Sequence, residues 1–113
     1  MAAAQANTLL YKTVDFTAAW CVTCLVNERV ALENTAVVAR LKRDGVVTLK
    51  GDWTNRSITI ADELAKYGRS GVPLYLLYPP GPDGRAIVLP QILTPSAVLA
   101  AVHSVEKHLK DIP

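Results

Sequence analysis

The sequence predicts an α/β fold, a four-stranded mixed sheet in the order 2-1-3-4 with helices on both faces. Three observations carry this. Trp20-Cys21-Val22-Thr23-Cys24 follows a strand-like run ending in Val14-Asp15-Phe16 and opens a helical pattern. Gly71-Val72-Pro73 precedes a second strand-like run, Leu74 to Tyr78. The elements read β-α-β-α-β-β-α, so a right-handed crossover makes strands one and two parallel, and a hairpin with a closing helix completes the sheet.

Each element has a local reason. The first strand covers about 12–17 and reads as buried on both faces. From Cys21 a helix begins, with Val22, Leu25, Val26 and Val30 forming one apolar face. Asn34 caps a further helical segment that runs to Arg43 and stops at Gly45. Val46 to Lys50 is the second strand, and Gly51-Asp52-Trp53-Thr54-Asn55 a loop. Ile58, Ala61, Leu64 and Ala65 mark another helix, closed by Gly68. The third strand is 74–78; Pro79 to Gly84 is a turn by composition, and Ala86 to Leu89 the fourth strand. Thr94-Pro95 opens a last helix, with Val98, Ala101, Val102, Val105 and Leu109 on its inner stripe.

The chain has 113 residues, enough for one domain: 1–12 a linker or shortened lead-in, 13–113 the folded unit. Half the residues are hydrophobic and 19% are charged, which argues for a folded globular chain and against a disordered one. The net charge is +2 and the basic residues are scattered, so neither a nucleic-acid patch nor a polybasic membrane anchor is expected. No run approaches the ~20 apolar residues of a membrane span. Met1 to Asn7 lacks the charged and apolar regions of a secretory signal and reads as a linker or an added start.

Both cysteines lie in the Cys-x-x-Cys. Partial positive charge and unpaired N–H groups at a helix start stabilise a thiolate there. Cys21, as the more exposed member, is the expected attacking thiol; Cys24, one turn inside, is expected to resolve the mixed disulfide. The expected cofactor is none beyond the redox-active disulfide itself. The alternatives are a structural disulfide or half of a zinc site. The nearest histidines, His103 and His108, do not share a helical face, so no metal is expected. Asp15 stands within the strand leading into the motif, where an acid is costly without a purpose; the alternative is a hydrogen-bonded strand residue. Glu28 lies two helical turns after Cys21, and could equally be a solvated helix residue. Trp20 is expected to shield the disulfide and contact partners, unless it is a core residue. Val72-Pro73, taken alone, could be an ordinary turn.

The segment from Val14 to Glu28 resembles the C-terminal domain of the DsbD family of thiol:disulfide interchange proteins. So do Leu49-Lys50-Gly51-Asp52-Trp53-Thr54-Asn55, Gly68 to Tyr75, Tyr78-Pro79-Pro80-Gly81 and Leu89 to Pro95. The resemblance covers about 13–109 and implies a thioredoxin-like fold in which Pro73 has a cis peptide bond and lies against the dithiol. The backbone of Val72 would then pair with an incoming extended chain. It implies that Asp15 is the acid beneath the dithiol, taking a proton from Cys24, and that Glu28 is a second acid near the site. The implied activity is protein-disulfide reduction. Electrons come from a membrane-embedded core and pass to an N-terminal periplasmic domain of the same full-length protein, then towards disulfide isomerases and cytochrome c maturation. The expected partners are thus protein disulfides, that core and that domain, with the chain periplasmic as part of an inner-membrane protein. The lead-in before the first strand departs from the family pattern, and an edge or core face left open there would favour association. Two other readings are a free-standing thioredoxin-like reductase and a non-catalytic binding module with an incidental disulfide.

Overall fold

The computed structural model describes residues 11–79 and 86–110 and, in the last helix, side chains to residue 105. Of the lead-in expected over 1–12 only Tyr11 and Lys12 are described, Lys12 as the first residue of a strand, and of the turn expected over 79–84 only Pro79. Four strands, β1 (Lys12–Thr17), β2 (Val47–Asp52), β3 (Leu74–Tyr78) and β4 (Ile87–Val88), form one sheet of order β2-β1-β3-β4. β1 runs parallel to β2 and antiparallel to β3, and β3 pairs antiparallel with β4. The expected topology is therefore observed.

The helices are α1 (Val22–Asn27), α2 (Thr35–Arg43), α3 (Ile58–Lys66) and α4 (Pro95–Lys110). A π-helical turn, Glu28–Leu32, continues α1. Asn34 caps α2 by accepting from the N–H groups of Ala36 and Val37 at 2.9 and 3.2 Å. Thr94 Oγ1 accepts from the Ala97 N–H at 3.1 Å, ahead of a proline whose missing N–H costs nothing in a first turn. Among the described residues no helix is long and apolar enough to cross a membrane.

Strand parity divides the sheet. Tyr75 and Leu77 face a core shared with Ala31, Val37 and the buried α4 residues Val98, Val102 and Val105. Phe16, Leu74 and Leu76 face the opposite core with Trp53 and Leu64 of α3. Each strand residue points to the side opposite its neighbour, so Asp15, paired with Lys50 and Tyr75, shares the first face.

Three expectations need correction. β1 is buried at its end, Phe16 and Thr17, but only half-buried from Lys12 to Asp15, because its partner β2 is the sheet edge. β2 continues through Gly51 and Asp52, which pair with Phe16 and Thr17 instead of opening a loop. β4 is shorter than expected, Ile87–Val88 alone.

Gly51 permits that close pairing. A Cβ there would lie 2.6 Å from Cδ1 of the buried Phe16 ring. Gly51→Ala should therefore cost about 1–3 kcal/mol through overpacking, and Phe16→Leu in the same chain should recover part of the loss. Urea denaturation of the single and double variants checks this; strictly additive effects would show that the two residues do not collide.

Candidate active site

Cys21 is the N-cap of α1, and its Sγ accepts from the Cys24 N–H at 3.1 Å. The sulfur thus sits where a side-chain oxygen normally caps a helix, facing the unpaired N–H groups of the first turn. Cys21 and Cys24 are joined in a disulfide with their Cα atoms 5.2 Å apart. Cys24 is fully buried, and Cys21 is 7% exposed. Cys21 is therefore the more accessible of the two, but it is not an exposed residue. Ala18 and Val72 pack against the pair. The Val72–Pro73 peptide bond is cis, and Pro73 is buried.

The apolar face of α1 is turned outward. Val22 is 72% exposed, and Leu25, Val26 and Val30 are also exposed. The inward positions are Cys24, Asn27 and Ala31, all buried. Asn27, which the sequence reading passed over, anchors the helix. Its amide donates to Tyr75 Oη at 3.0 Å and to the Gln91 carbonyl at 2.7 Å. Its carbonyl accepts from the Leu93 N–H at 3.0 Å. The segment before α4 is thereby fixed one turn below Cys24, with the exposed Ile92 held between its two anchor points. A polar residue three positions after Cys24 was the available signal; the stronger apolar stripe hid it.

Trp20 is 44% exposed and stands beside the disulfide in the chain, not in the core. The loop after β2 holds it. Trp20 Nε1 donates to the Thr54 carbonyl at 3.0 Å, and Thr54 Oγ1 accepts from the Ala19 N–H at 2.9 Å. Thr54 in turn donates from its backbone to Asp52 Oδ1 at 2.9 Å, and its hydroxyl donates to the same oxygen. These bonds hold the Asp52 carboxyl below its usual range. Asp52, the last residue of β2, and Trp53, the first residue of the loop after it, were expected to be a structural signature; they support the wall of the site.

Asp15 and Glu28 come together. Both line a cavity of about 340 Å³ together with Lys50, Tyr75, Leu89 and Leu93; neither cysteine lines it. Lys50 Nζ lies 3.2 Å from Glu28 Oε1. No described protein group hydrogen-bonds Asp15 Oδ1. Burial, then the Glu28 charge, pushes the Asp15 carboxyl up to about 6, with Lys50 pulling the other way. Burial pushes the Tyr75 hydroxyl up to about 12, against the Asn27 hydrogen bond. The arrangement offers a capped sulfur at a helix start, a buried second sulfur, and a carboxyl able to exchange a proton near neutral pH.

A family model described as thioredoxin-like matches residues 2–80. No curated protein sequence matches the chain. Among solved structures, the chain is similar to the oxidised C-terminal domain of Neisseria meningitidis DsbD, with 19% identity over 91% of this chain and 86% of that one, and a TM-score of 0.71. It is also similar to chloroplastic thioredoxin z, with 24% identity over 94% of this chain and 87% of that one, TM-score 0.71. A thioredoxin from Thermus thermophilus gives 18% identity over 92% of this chain and 78% of that one, TM-score 0.72. At these identities the likeness concerns the fold.

Because Asp15 is held at about 6, above its ordinary 3.8, the folded state binds this proton more tightly than the unfolded chain. Its ionisation costs stability as pH rises from about 4 to about 6, and the cost persists above that range. Asp15→Asn should stabilise the oxidised protein by about 1–2 kcal/mol at pH 8, after allowance for solvent screening of a partly exposed group. The gain should vanish below pH 4, where both states are protonated. Denaturant titrations at the two pH values check this; an equal effect at both would remove the charge as its cause.

Proposed function

The chain belongs to the thioredoxin-like family, and on that premise we propose that it is a thiol–disulfide oxidoreductase that reduces protein disulfides as a relay domain. The observation that carries this reading is the Cys21–Cys24 disulfide at the start of α1, with Cys24 wholly buried and Cys21 accessible at its edge. In the reduced protein, the Cys21 thiolate attacks one sulfur of a partner disulfide and expels the other as a thiolate, which takes up a proton. Cys24 then attacks Cys21 within the mixed disulfide. The Cys21–Cys24 bond closes, and the partner leaves as a dithiol. Two electrons have passed to the partner. Asp15 accepts the proton that Cys24 gives up, which it does only when ionised, so resolution slows as pH falls below about 6. Glu28 is the second acid of the site, and its charge is one of the causes that raise the Asp15 carboxyl.

Trp20 and Val72 form the docking rim. Val72 packs on the disulfide, and among the described residues its backbone makes no backbone hydrogen bond. This supports pairing with an extended partner segment by strand addition. No cofactor beyond the disulfide is needed for the exchange.

The motif resemblance to DsbD C-terminal domains supports a finer reading: a periplasmic domain of an inner-membrane protein, reduced by a membrane-embedded core and oxidised by an N-terminal partner domain. A free-standing thioredoxin-like reductase is the alternative reading, since it would use the same exchange at Cys21 and Cys24. Supplying the oxidised protein with either thioredoxin reductase and NADPH or a reconstituted membrane core separates them, since only the true donor should reduce it rapidly.

Limited alkylation of the reduced protein, read by mass spectrometry, should label Cys21 well before Cys24; preferential labelling of Cys24 would reverse their roles. The two acids oppose a nascent thiolate by Coulomb repulsion in a partly buried site. Asp15→Asn and Glu28→Gln should each lower the Cys21 thiol pKa, read from thiolate ultraviolet absorbance against pH. Unchanged or higher values in both variants would leave the acids as structural residues.

A further inference from the structure

Beside the disulfide, the loop between β2 and α3 places an exposed cation on an exposed aromatic ring. The Arg56 guanidinium carbon lies 4.3 Å from the Trp20 ring centroid and 5.4 Å from that of Trp53. The two indoles are 6.0 Å apart and tilted by 55°. Arg56 is itself exposed and has a φ of +54°, a left-handed conformation that a side-chain-bearing residue adopts at a cost. Its N–H donates to the Trp53 carbonyl at 2.9 Å, closing the turn that aims the side chain back over Trp20. Trp20 is held beneath it by its ring N–H, which donates to the Thr54 carbonyl at 3.0 Å.

This cation has no ionic partner among the described residues. Asp52, the acid at the end of β2 just before the loop, has its Oδ1 engaged by the backbone and hydroxyl of Thr54. An exposed guanidinium over an aromatic ring still offers N–H donors, and that fork matches a carboxylate in two parallel hydrogen bonds. Trp20 immediately precedes Cys21, so the charge stands over the residue next to the capping sulfur. A partner segment in disulfide exchange must bring its own cysteine to Cys21, and its flanking residues then pass over this ring.

We propose that Arg56, held on Trp20, is a specificity residue that selects partner segments carrying an aspartate or glutamate next to the reacting cysteine. The proposal rests on the oxidoreductase reading for its setting and adds the chemistry of the partner. Trp20 supplies the apolar platform, and Arg56 supplies the charge. Asp52 and Thr54 fix the loop that holds both. Steering by a single exposed charge weakens as salt rises.

The test uses disulfide-bonded peptides that differ only in a Glu or a Gln flanking the cysteine. Reduced wild-type protein should reduce the Glu peptide about 3–10-fold faster than the Gln peptide in second-order rate constant, within the range of a charge-assisted pair. The ratio should shrink in high salt. Arg56→Gln should bring the ratio to about one, and Arg56→Lys should keep part of the preference, since it retains charge without the planar fork. A ratio unaltered by Arg56→Gln, or no preference in the wild type, overturns the proposal. Docking without exchange is read separately, by tryptophan fluorescence with the same peptides carrying serine for cysteine. Loss of all reduction with acid-selective docking retained would sink the oxidoreductase reading and leave the proposal standing. Docking that ignores the acid would sink the proposal whatever the chemistry.

Discussion

The buried amide of Asn27 is the constraint on which the site depends. It is 1% exposed and uses both ends: the nitrogen on Tyr75 and Gln91, the oxygen on Leu93. These partners come from β3 and from the segment ahead of α4, so one side chain joins the cysteine helix to two other parts of the chain. Removing it would strand buried donors and acceptors, at about 1–3 kcal/mol for each left unpaired. It also fixes the rotation of α1. With Asn27 inward, Cys24 and Ala31 are inward too, and the valine–leucine stripe has to face out.

That rotation explains which parts of the molecule were legible in the sequence. The strand order, the caps at Asn34 and Thr94 and the start of α1 at Cys21 follow from local chemistry, and local chemistry is written locally. The phase of α1 does not. An apolar stripe normally marks the buried side of a helix, yet here Val22 and its neighbours are exposed while a polar amide is buried. Hydrophobic periodicity reports transfer energy alone. It cannot register an amide whose three partners lie far away along the chain. The continuation of β2 through Gly51 was hidden for a similar reason: glycine reads as a breaker until the Phe16 ring that needs the space is known.

The acids show the same division. Asp15 stood out because a carboxyl in an apolar strand needs a reason, and the structure surrounds it with Glu28, Lys50 and Tyr75. Lys50 carried no signal of its own. It reaches Glu28 only because β2 pairs in register beside β1. Arg56 was equally silent, since a lone arginine in a polar loop is unremarkable until its φ and the ring beneath it are seen.

Strand parity has a further consequence for how this chain can vary. Asp15, Lys50 and Tyr75 share one face of the sheet because they are partners across β2, β1 and β3. Inserting or deleting a single residue in β1 would reverse every side chain before the lesion. A lesion just after Asp15 would carry the carboxylate to the side of Leu64 and Trp53, away from Lys50 and Glu28. The hydrophobic residues would be exchanged at the same time, so the core and the buried carboxyl would be disturbed together. Length changes in this strand are therefore confined to even numbers or to its ends, whereas the loops beyond it are free of that arithmetic.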